Sequence, residues 1–127
     1  MTTVLVVDDD ATVVNLLKSR LEKNTRFTVL EAGGGAEALA IIAKQVPDVL
    51  LCDVDMPGMD GITLANILAK NEATEKLPLI FLSSMVTPED MKGGVTAGGG
   101  KWPMISKSST MKELIAMIDR VARVATA

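Results

Sequence analysis

The segment Val4-Leu5-Val6-Val7-Asp8-Asp9-Asp10 joins an apolar run to three consecutive aspartates near the start of the chain. Comparable apolar runs follow at residues 27–30, 49–52, 79–82 and, more weakly, 104–105. Because the runs are continuously apolar rather than alternating, they predict strands of a parallel sheet that is covered on both faces. Segments with helical spacing follow the runs. The sequence therefore predicts an α/β fold in which one (βα)5 unit forms a doubly wound parallel sheet of five strands.

Two of the predicted helices carry clear signals at their starts. Asp10 is expected to cap a helix that begins at Ala11. The last helix follows a capping box formed by Thr110 and Glu113, and apolar residues then recur at spacings of three or four. These signals place two helix starts directly after predicted strand ends.

The fourth helix has a good start and a poor continuation. Thr87 is a suitable cap, and Pro88 suits the first helical position. Five of the ten glycines lie between residues 93 and 100, and each glycine inside a helix costs about 1 kcal/mol relative to alanine. We therefore expect this helix to be short or mobile.

Length and charge limit the classes of protein to consider. The chain has 127 residues, which is enough for one core, and we expect residues 1–127 to form a single domain. The formal net charge of −3 argues against a nucleic-acid surface and against an anionic membrane. The N-terminus has no signal-peptide pattern and no run reaches membrane-spanning length, so we expect a cytoplasmic protein.

The sequence contains no histidine. This excludes Ser-His and Cys-His pairs, imidazole bases and histidine-ligated metals. Cys52 is the single cysteine, so neither an internal disulfide nor a thiolate zinc site can form, and its place in an apolar strand predicts a core residue. Any proton or phosphoryl chemistry must use carboxylates, hydroxyls or lysine.

Acidic residues lie at the ends of two strands that we expect to be neighbours. Asp8 and Asp9 follow the first strand, and Asp53 ends the third. Because the carboxyl ends of parallel strands meet at one edge of a sheet, these carboxylates should converge and repel one another, so the edge requires a cation. Carboxylates, backbone carbonyls and water are ligands that suit Mg²⁺.

With a metal present, one of the carboxylates can act as a nucleophile and form an aspartyl phosphate. Such a site also needs a hydroxyl and an ammonium that reach the phosphoryl oxygens. Ser83 and Lys107 occupy the two remaining strand ends. Acids after strands often do no more than cap helices, but compatible groups on four adjacent strand ends favour a chemical site.

Four motifs together resemble the response-regulator receiver domain of two-component signalling, a CheY-like family. They are residues 4–9 with the acid pair, 51–61 around Asp53, 82–84 with its hydroxyl, and 106–107 with its lysine. The resemblance covers essentially the whole chain. It implies a flavodoxin-like fold with strand order 2-1-3-4-5, and a receiver domain over residues 1–127 with no output domain.

The resemblance also implies roles for the acidic residues. Asp53 would accept the phosphoryl group from a kinase phosphohistidine. Asp9 and Asp53 would hold Mg²⁺ directly, together with the backbone carbonyl of Asp55, and Asp8 would act largely through water.

Ser83 would hydrogen-bond the phosphoryl group, and Lys107 would pair with it. Movement of the hydroxyl would bias the face formed by the predicted fourth helix, fifth strand and fifth helix, and so control partner binding. The implied partners are a sensor histidine kinase or phosphotransfer protein as donor and a downstream protein that the sequence does not identify. No nucleic acid and no membrane partner is expected.

Three positions depart from the family pattern. One is Ser84, which stands after the hydroxyl residue where the family usually has a small residue. Ser108 follows the lysine where the family usually has proline, and Met104 stands where it usually has a tyrosine or phenylalanine that acts as a rotating switch. The nearby Trp102 does not align with that position, and we expect it to pack on the surface or partly in the core. These departures leave open a degenerate receiver that binds its partner without phosphorylation.

A third hypothesis is a Mg²⁺-dependent phosphatase, because Asp53-Val54-Asp55 resembles the nucleophile and acid of the haloacid dehalogenases. That family carries the pair after its first strand, whereas here the pair ends the predicted third strand. The leading interpretation is therefore a receiver, which is no enzyme beyond catalysing its own phosphorylation and dephosphorylation.

Overall fold

A computed structural model describes residues 2–24, 26–84, 96–97 and 102–126. Its elements, in chain order, are β1 (Thr2–Val7), α1 (Ala11–Glu22), β2 (Phe27–Ala32), α2 (Gly35–Lys44), β3 (Val49–Asp53), α3 (Gly61–Ala69), β4 (Leu79–Ser83), β5 (Thr96–Ala97), β6 (Trp102–Ser106) and α4 (Met111–Thr126). Strands and helices alternate from β1 to β4, as the apolar runs predict. Among these residues, no helix combines the length and the apolar character that crossing a membrane requires.

Of the six strands among the described residues, five run parallel, in the order β2-β1-β3-β4-β6. The predicted fifth strand is β6, which extends beyond residues 104–105 to Trp102–Ser106. The doubly wound parallel sheet with order 2-1-3-4-5 is therefore confirmed. In such a sheet the strand order reverses between β1 and β3, and ligands bind at the carboxyl ends of the strands near that point.

The sequence does not predict β5. Thr96 and Ala97 pair antiparallel with Pro103 and Trp102 at the edge of the sheet. They belong to the glycine-rich stretch, where the cost of interior glycines disfavours a helix. The helix predicted to begin after Thr87 lies outside the described residues.

The sheet separates two apolar layers. Side chains alternate between the layers along each strand: Leu5 and Val7 lie in one, and Val4 and Val6 lie in the other. The first layer is covered by α2 and α3, and the second by α1 and α4. Every residue of β3 and β4 is buried, which is why these strands are continuously apolar up to their last residues, Asp53 and Ser83.

The helix starts agree with the predicted caps. The Asp10 side chain accepts a backbone N–H from the first turn of α1 at 2.9 Å. Thr110 and Glu113 form the capping box, in which Oγ1 of Thr110 accepts the N–H of Glu113 at 3.2 Å. Asp60 caps α3 by accepting the N–H of Thr63 at 2.7 Å. All three caps lie at the edge of the sheet where the parallel strands end.

Cys52 is a core residue, as predicted. It is fully buried in β3, and its thiol donates to the carbonyl of Asp53 at 3.3 Å. Burial, followed by the charge of Asp53, raises the pKa of Cys52 to about 12. The thiol therefore stays protonated and unreactive at neutral pH.

Candidate functional site

The register between β1 and β3 brings the predicted acids together. Val7 of β1 lies opposite Cys52 of β3. The next residues along the two strands are Asp8 and Asp53, and Asp9 follows Asp8. The three aspartates therefore leave the sheet at the same edge, beside the point where the strand order reverses.

The neighbouring strands add the predicted hydroxyl and ammonium. Asp53 lies opposite Leu82 of β4, and Ser83 is the next residue. Ser83 in turn lies opposite Ser106 of β6, the residue before Lys107. The strand register thus places Ser83 and Lys107 at the same edge as the aspartates.

Three carboxylates form an acidic cluster, which consists of Asp8, Asp9 and Asp53. Each offers one oxygen, and these oxygens lie within 4.8 Å of one another. Asp8 and Asp53 are 1% and 7% exposed, whereas Asp9 is open to solvent. Because charges repel more strongly in a partly buried setting than in water, the cluster requires positive charge nearby.

The ammonium of Lys107 supplies part of that charge. Its Nζ lies 2.9 Å from Oδ2 of Asp8 and 3.3 Å from Oδ1 of Asp53. Burial lowers the pKa of Lys107, but the hydrogen bond and charge of Asp8, together with those of Asp53, outweigh it and raise the pKa. Lys107 is therefore charged at neutral pH and bridges the two buried carboxylates.

The carboxyl of Asp53 has a raised pKa. Burial is the largest cause and the charge of Asp8 is the second, while the charge and hydrogen bond of Lys107 and a hydrogen bond from the Asp55 backbone lower the pKa. The charged form of Asp53 is thus poorly stabilised in spite of these contacts. Perturbed carboxyls of this kind, at the strand ends of an open sheet, are typical of functional sites.

Two glycines shape the loop between β3 and α3. Gly58 has a φ of 78°, a conformation that glycine adopts most readily. A Cβ on Gly61 would overlap the carbonyl oxygen of Asp53 and would lie 3.1 Å from the Phe81 ring. The N–H of Gly61 also donates to the carbonyl of Val54 at 3.0 Å. α3 can begin this close to Asp53 only because residue 61 has no side chain.

The turn after β6 contains Ser108, where the sequence departs from the family's proline. The backbone N–H of Lys107 donates to the carbonyl of Ser83 at 2.9 Å. Ser106 accepts the N–H of Ser108 at its hydroxyl and the N–H of Ser109 at its carbonyl, each at 3.0 Å. Lys107 therefore reaches the acidic cluster with serine at position 108. The sequence predictions give Ser106 no role, although serine favours the first position of turns and could have indicated one.

Trp102 packs partly in the core, as predicted. Its ring meets Phe81 edge-on, with centroids 5.9 Å apart and planes at 87°. Met104, which replaces the family's aromatic residue, lies opposite Phe81 in the register between β4 and β6. In this chain the aromatic contact between the two strands comes from residue 102.

The donor atoms of the acidic cluster fit Mg²⁺. All three side chains offer carboxylate oxygens, which are the hard ligands that this ion prefers. Asp8 also accepts the N–H of Asp10 at 3.0 Å, so its orientation is fixed, while the exposed Asp9 gives solvent access to the cluster. The carbonyl of Asp55 as a further ligand stays a prediction, because only its backbone contact with Asp53 is described.

Comparison with known families agrees with this geometry. The family model of the response regulator receiver domain matches residues 4–119, a range that includes the acidic cluster, Ser83 and Lys107. The chain belongs to the response regulator receiver family. The prediction made from the four sequence motifs is thereby confirmed, and the flavodoxin-like fold is the one that receiver domains share.

Similar receiver domains occur in larger regulators. This one is 34% identical over 118 residues to a gliding motility regulatory protein of Myxococcus xanthus, and 32% identical over 121 residues to the phosphate regulon transcriptional regulatory protein PhoB of Pseudomonas aeruginosa. The alignments cover 93% and 95% of this chain but 15% and 52% of those proteins. The chain therefore spans about half or less of these relatives, and the receiver domain is the part that it shares with them.

A solved structure matches over nearly its whole length. The chemotaxis protein CheY4 of Vibrio cholerae superposes with a TM-score of 0.80 at 26% identity. The match covers 95% of this chain and 98% of that protein. The two proteins therefore share their fold over nearly the whole length of both.

Proposed function

We propose that this receiver domain accepts a phosphoryl group on Asp53, with Mg²⁺ bound, and changes its binding to a partner protein as a result. The observation that carries the proposal is the arrangement around Asp53, where two further carboxylates and the ammonium of Lys107 meet. The donor is a phosphohistidine of a sensor histidine kinase or phosphotransfer protein, because the family takes phosphoryl groups from histidine kinases and this sequence contains no histidine.

The transfer exchanges one bond to phosphorus for another. A carboxylate oxygen of Asp53 forms a bond to phosphorus while the bond between phosphorus and the donor's imidazole nitrogen breaks. The electron pair of the broken bond stays with the imidazole, which carries a proton on its other nitrogen and leaves as a neutral ring. The product is an acyl phosphate on Asp53.

The new phosphoryl group adds negative charge to an edge that is already acidic. Asp9 and Asp53 would hold Mg²⁺ directly, Asp8 largely through water, and the carbonyl of Asp55 would complete the protein ligands. When bound, the ion offsets charge on the phosphoryl oxygens. Lys107 supplies further positive charge, since its Nζ already lies 3.3 Å from Oδ1 of Asp53 and can pair with a phosphoryl oxygen attached there.

Ser83 and Lys107 connect the site with the partner face. Ser83 ends β4 and is buried, and its carbonyl accepts the backbone N–H of Lys107 at 2.9 Å. A phosphoryl group that accepts a hydrogen bond from the Ser83 hydroxyl and forms an ion pair with Lys107 would therefore shift the ends of β4 and β6 together. The responding face comprises β6, which is the predicted fifth strand, and α4, which is the predicted fifth helix. It also includes the predicted fourth helix, which lies outside the described residues.

The downstream partner is a protein of unknown identity, and the proposed setting is the cytoplasm. The net charge of −3 disfavours nucleic acid and anionic membranes as direct partners. The domain acts by binding, and the chemistry it catalyses is limited to its own phosphorylation and dephosphorylation.

The test is incubation with acetyl phosphate and Mg²⁺, followed by intact-mass measurement. The parent chain should gain the mass of one phosphoryl group, and Asp53→Ala should gain none. Asp55→Ala is the matched control, because it removes a neighbouring carboxylate while it keeps the backbone carbonyl, and it should still gain the group. Chelating Mg²⁺ should slow the gain in the parent chain.

Other outcomes would favour the competing hypotheses. A parent chain without an adduct would favour a degenerate receiver that binds its partner without phosphorylation. An adduct that persists in Asp53→Ala would show that the acceptor is a different residue. Catalytic turnover of a generic phosphate ester would favour a phosphatase, although Asp53 ends the third strand of the sheet and not the first.

A further inference from the structure

The side chain of Lys107 reaches its partners from a turn directly after β6. Its Nζ has to bridge carboxylates on two different strands, at 2.9 Å from Asp8 and 3.3 Å from Asp53. The contact with Asp8 is a charge-assisted hydrogen bond, and the contact with Asp53 is a longer ion pair. A small change in the direction of the lysine backbone would therefore lengthen at least one of them.

Three hydrogen bonds donated by backbone N–H groups fix that direction. Ser106 accepts two of them, one at its carbonyl and one at its hydroxyl. The Ser106 carbonyl accepts the N–H of Ser109, which closes a turn with Lys107 and Ser108 at its centre. The Ser106 hydroxyl accepts the N–H of Ser108 across the same turn. The third bond is the one from the N–H of Lys107 to the carbonyl of Ser83.

The hydroxyl of Ser106 is the part of this arrangement that a side chain supplies. Ser106 is 3% exposed, so water does not readily replace its oxygen as the acceptor for Ser108. A serine side chain that accepts the N–H two residues along stabilises a turn in the same way as a backbone carbonyl. Without the hydroxyl, the turn keeps the hydrogen bond from the Ser109 N–H to the Ser106 carbonyl, but the backbone of Lys107 and Ser108 becomes more mobile.

We infer that Ser106 is a positioning residue for Lys107 and thereby sets the rate at which Asp53 is phosphorylated. The role in phosphorylation rests on the proposed function, whereas the positioning of the ammonium over the acidic cluster does not. The described hydrogen bonds of the Ser106 side chain and carbonyl go to the backbone of Ser108 and Ser109, so its proposed effect passes through the Lys107 backbone to the ammonium.

The experiment combines Ser106→Ala, Ser106→Thr and Lys107→Met, alone and as the double variant Ser106→Ala with Lys107→Met. Phosphorylation by acetyl phosphate should be roughly tenfold slower in Ser106→Ala, because a misplaced reacting or stabilising group costs one to two orders of magnitude in rate. Ser106→Thr keeps the hydroxyl and should restore the parent rate. In the Lys107→Met background, Ser106→Ala should change the rate little, since the group it positions is gone.

Mg²⁺ titration by calorimetry gives a second readout that needs no phosphorylation. The ammonium of Lys107 repels a cation at the acidic cluster, so Lys107→Met should bind Mg²⁺ more tightly than the parent. Ser106→Ala should shift the affinity in the same direction by a smaller factor. A shift in Ser106→Ala together with a parent chain that takes no phosphoryl group would support the positioning role and reject the proposed function.

Two results would overturn the inference. One is a Ser106→Ala variant that matches the parent in both phosphorylation rate and Mg²⁺ affinity. The other is a Ser106→Ala change that slows phosphorylation as strongly in the Lys107→Met background as in the parent, because the effect would then not pass through the lysine. Urea unfolding of each variant verifies that it is folded, and the double variant decides the question even if Ser106→Thr fails to fold.

Discussion

Ion pairs join distant parts of the described chain at opposite edges of the sheet. At the carboxyl edge, where the parallel strands end, Lys107 contacts Asp8 and Asp53 at 2.9 and 3.3 Å. At the amino edge, where β2 begins, Arg26 donates to both carboxylate oxygens of Asp119 in α4, at 3.0 and 2.8 Å. The side chains of Arg26 and Asp119 are 47% and 34% exposed, whereas the side chains of Asp8 and Asp53 are 0% and 9% exposed.

The two edges differ in how their charges are balanced. At the amino edge one guanidinium meets one carboxylate, and Arg26 also lies over the Phe27 ring at 4.7 Å. At the carboxyl edge, within the part of the chain that the structure describes, three carboxylates cluster and one ammonium contacts two of them. A matched and exposed pair holds two elements together at little gain in stability. A partly buried group in which carboxylates outnumber cations favours the binding of a further cation, and the proposed function uses this edge.

The largest effect on the carboxyl edge is expected from a steric clash beside Asp53. In Gly61→Ala the new Cβ would overlap the carbonyl oxygen of Asp53, which is backbone and cannot move aside easily. We expect a loss of about 2–3 kcal/mol in the free energy of unfolding, as for other overpacked sites, and slower phosphorylation because Asp53 is displaced. Urea unfolding and intact-mass kinetics measure the two effects.

Gly34→Ala is the matched control for that variant. Gly34 precedes α2 in an extended conformation with a φ of 179°, and a Cβ there meets nothing within 4 Å. The stability of this variant should lie close to that of the parent. Equal losses of stability in the two variants would mean that overlap with the Asp53 carbonyl is not the reason why a side chain at residue 61 is destabilising.

The second way to break the carboxyl edge is to remove its ammonium. In Lys107→Met, Asp8 and Asp53 lose their shared partner and repel each other without compensation. We expect a loss of about 1 kcal/mol in the free energy of unfolding without Mg²⁺, and a smaller loss when Mg²⁺ replaces the missing charge. Lys112→Met, at an exposed lysine of α4, is the control. Its free energy of unfolding should match that of the parent both without and with Mg²⁺.

A pH series sharpens the comparison without removing the ammonium. The pKa of Asp53 lies above its ordinary value of 3.8, chiefly because of burial and secondly because of Asp8. In the window between the unfolded and the folded pKa, the folded protein binds more protons than the unfolded chain, so the free energy of unfolding falls as the pH rises through that window. Above the folded pKa the whole destabilisation is present.

Asp53→Asn removes this titration. The variant should lack the fall in stability and should be more stable than the parent at neutral pH in the absence of Mg²⁺. Urea unfolding from acidic to neutral pH measures both effects. Identical pH profiles for the parent and Asp53→Asn would contradict the assignment of a poorly stabilised carboxylate at this position.

The smallest effect is expected at the amino edge. Asp119→Asn removes one charge of the exposed pair with Arg26, and exposed pairs contribute little because water and salt screen them. Thermal unfolding should show a small decrease in midpoint that shrinks further at high salt. The rate of phosphorylation and the stabilisation by Mg²⁺ should match the parent, and a change in either would show that the two edges are coupled.

Local patterns explain why the fold could be predicted. A strand that is buried on both faces is continuously apolar, and β3 and β4 are buried at every residue. Asp10 and the pair of Thr110 and Glu113 act within their own first helical turns, so short segments reveal them. β5 could not be predicted in this way, because two residues carry too little pattern and pair only with a strand edge formed elsewhere.

The residue types of the site could be predicted from the sequence, but the contacts that hold those residues in place could not. The spacing of the aspartates, Ser83 and Lys107 after apolar runs indicates which groups meet at the sheet edge. Gly61 lies within the motif of residues 51–61, but the close approach to the Asp53 carbonyl that requires glycine there follows only from the structure, as does the hydrogen bond from the Ser108 N–H to the Ser106 hydroxyl. Such contacts leave a weak trace in sequence, because serine and glycine are frequent in any turn.

By itself, the sequence determined the alternation of strands and helices from β1 to β4, the family and the residue types at the carboxyl edge, since these depend on local periodicity and on short motifs. Only the tertiary structure decided that Lys107 bridges Asp8 and Asp53, because this contact joins residues that are 99 positions apart and depends on strand register. It also decided how a chain with serine at position 108 presents its lysine. The physical reason is that distances and hydrogen-bond partners between strands are set when the sheet assembles around its core.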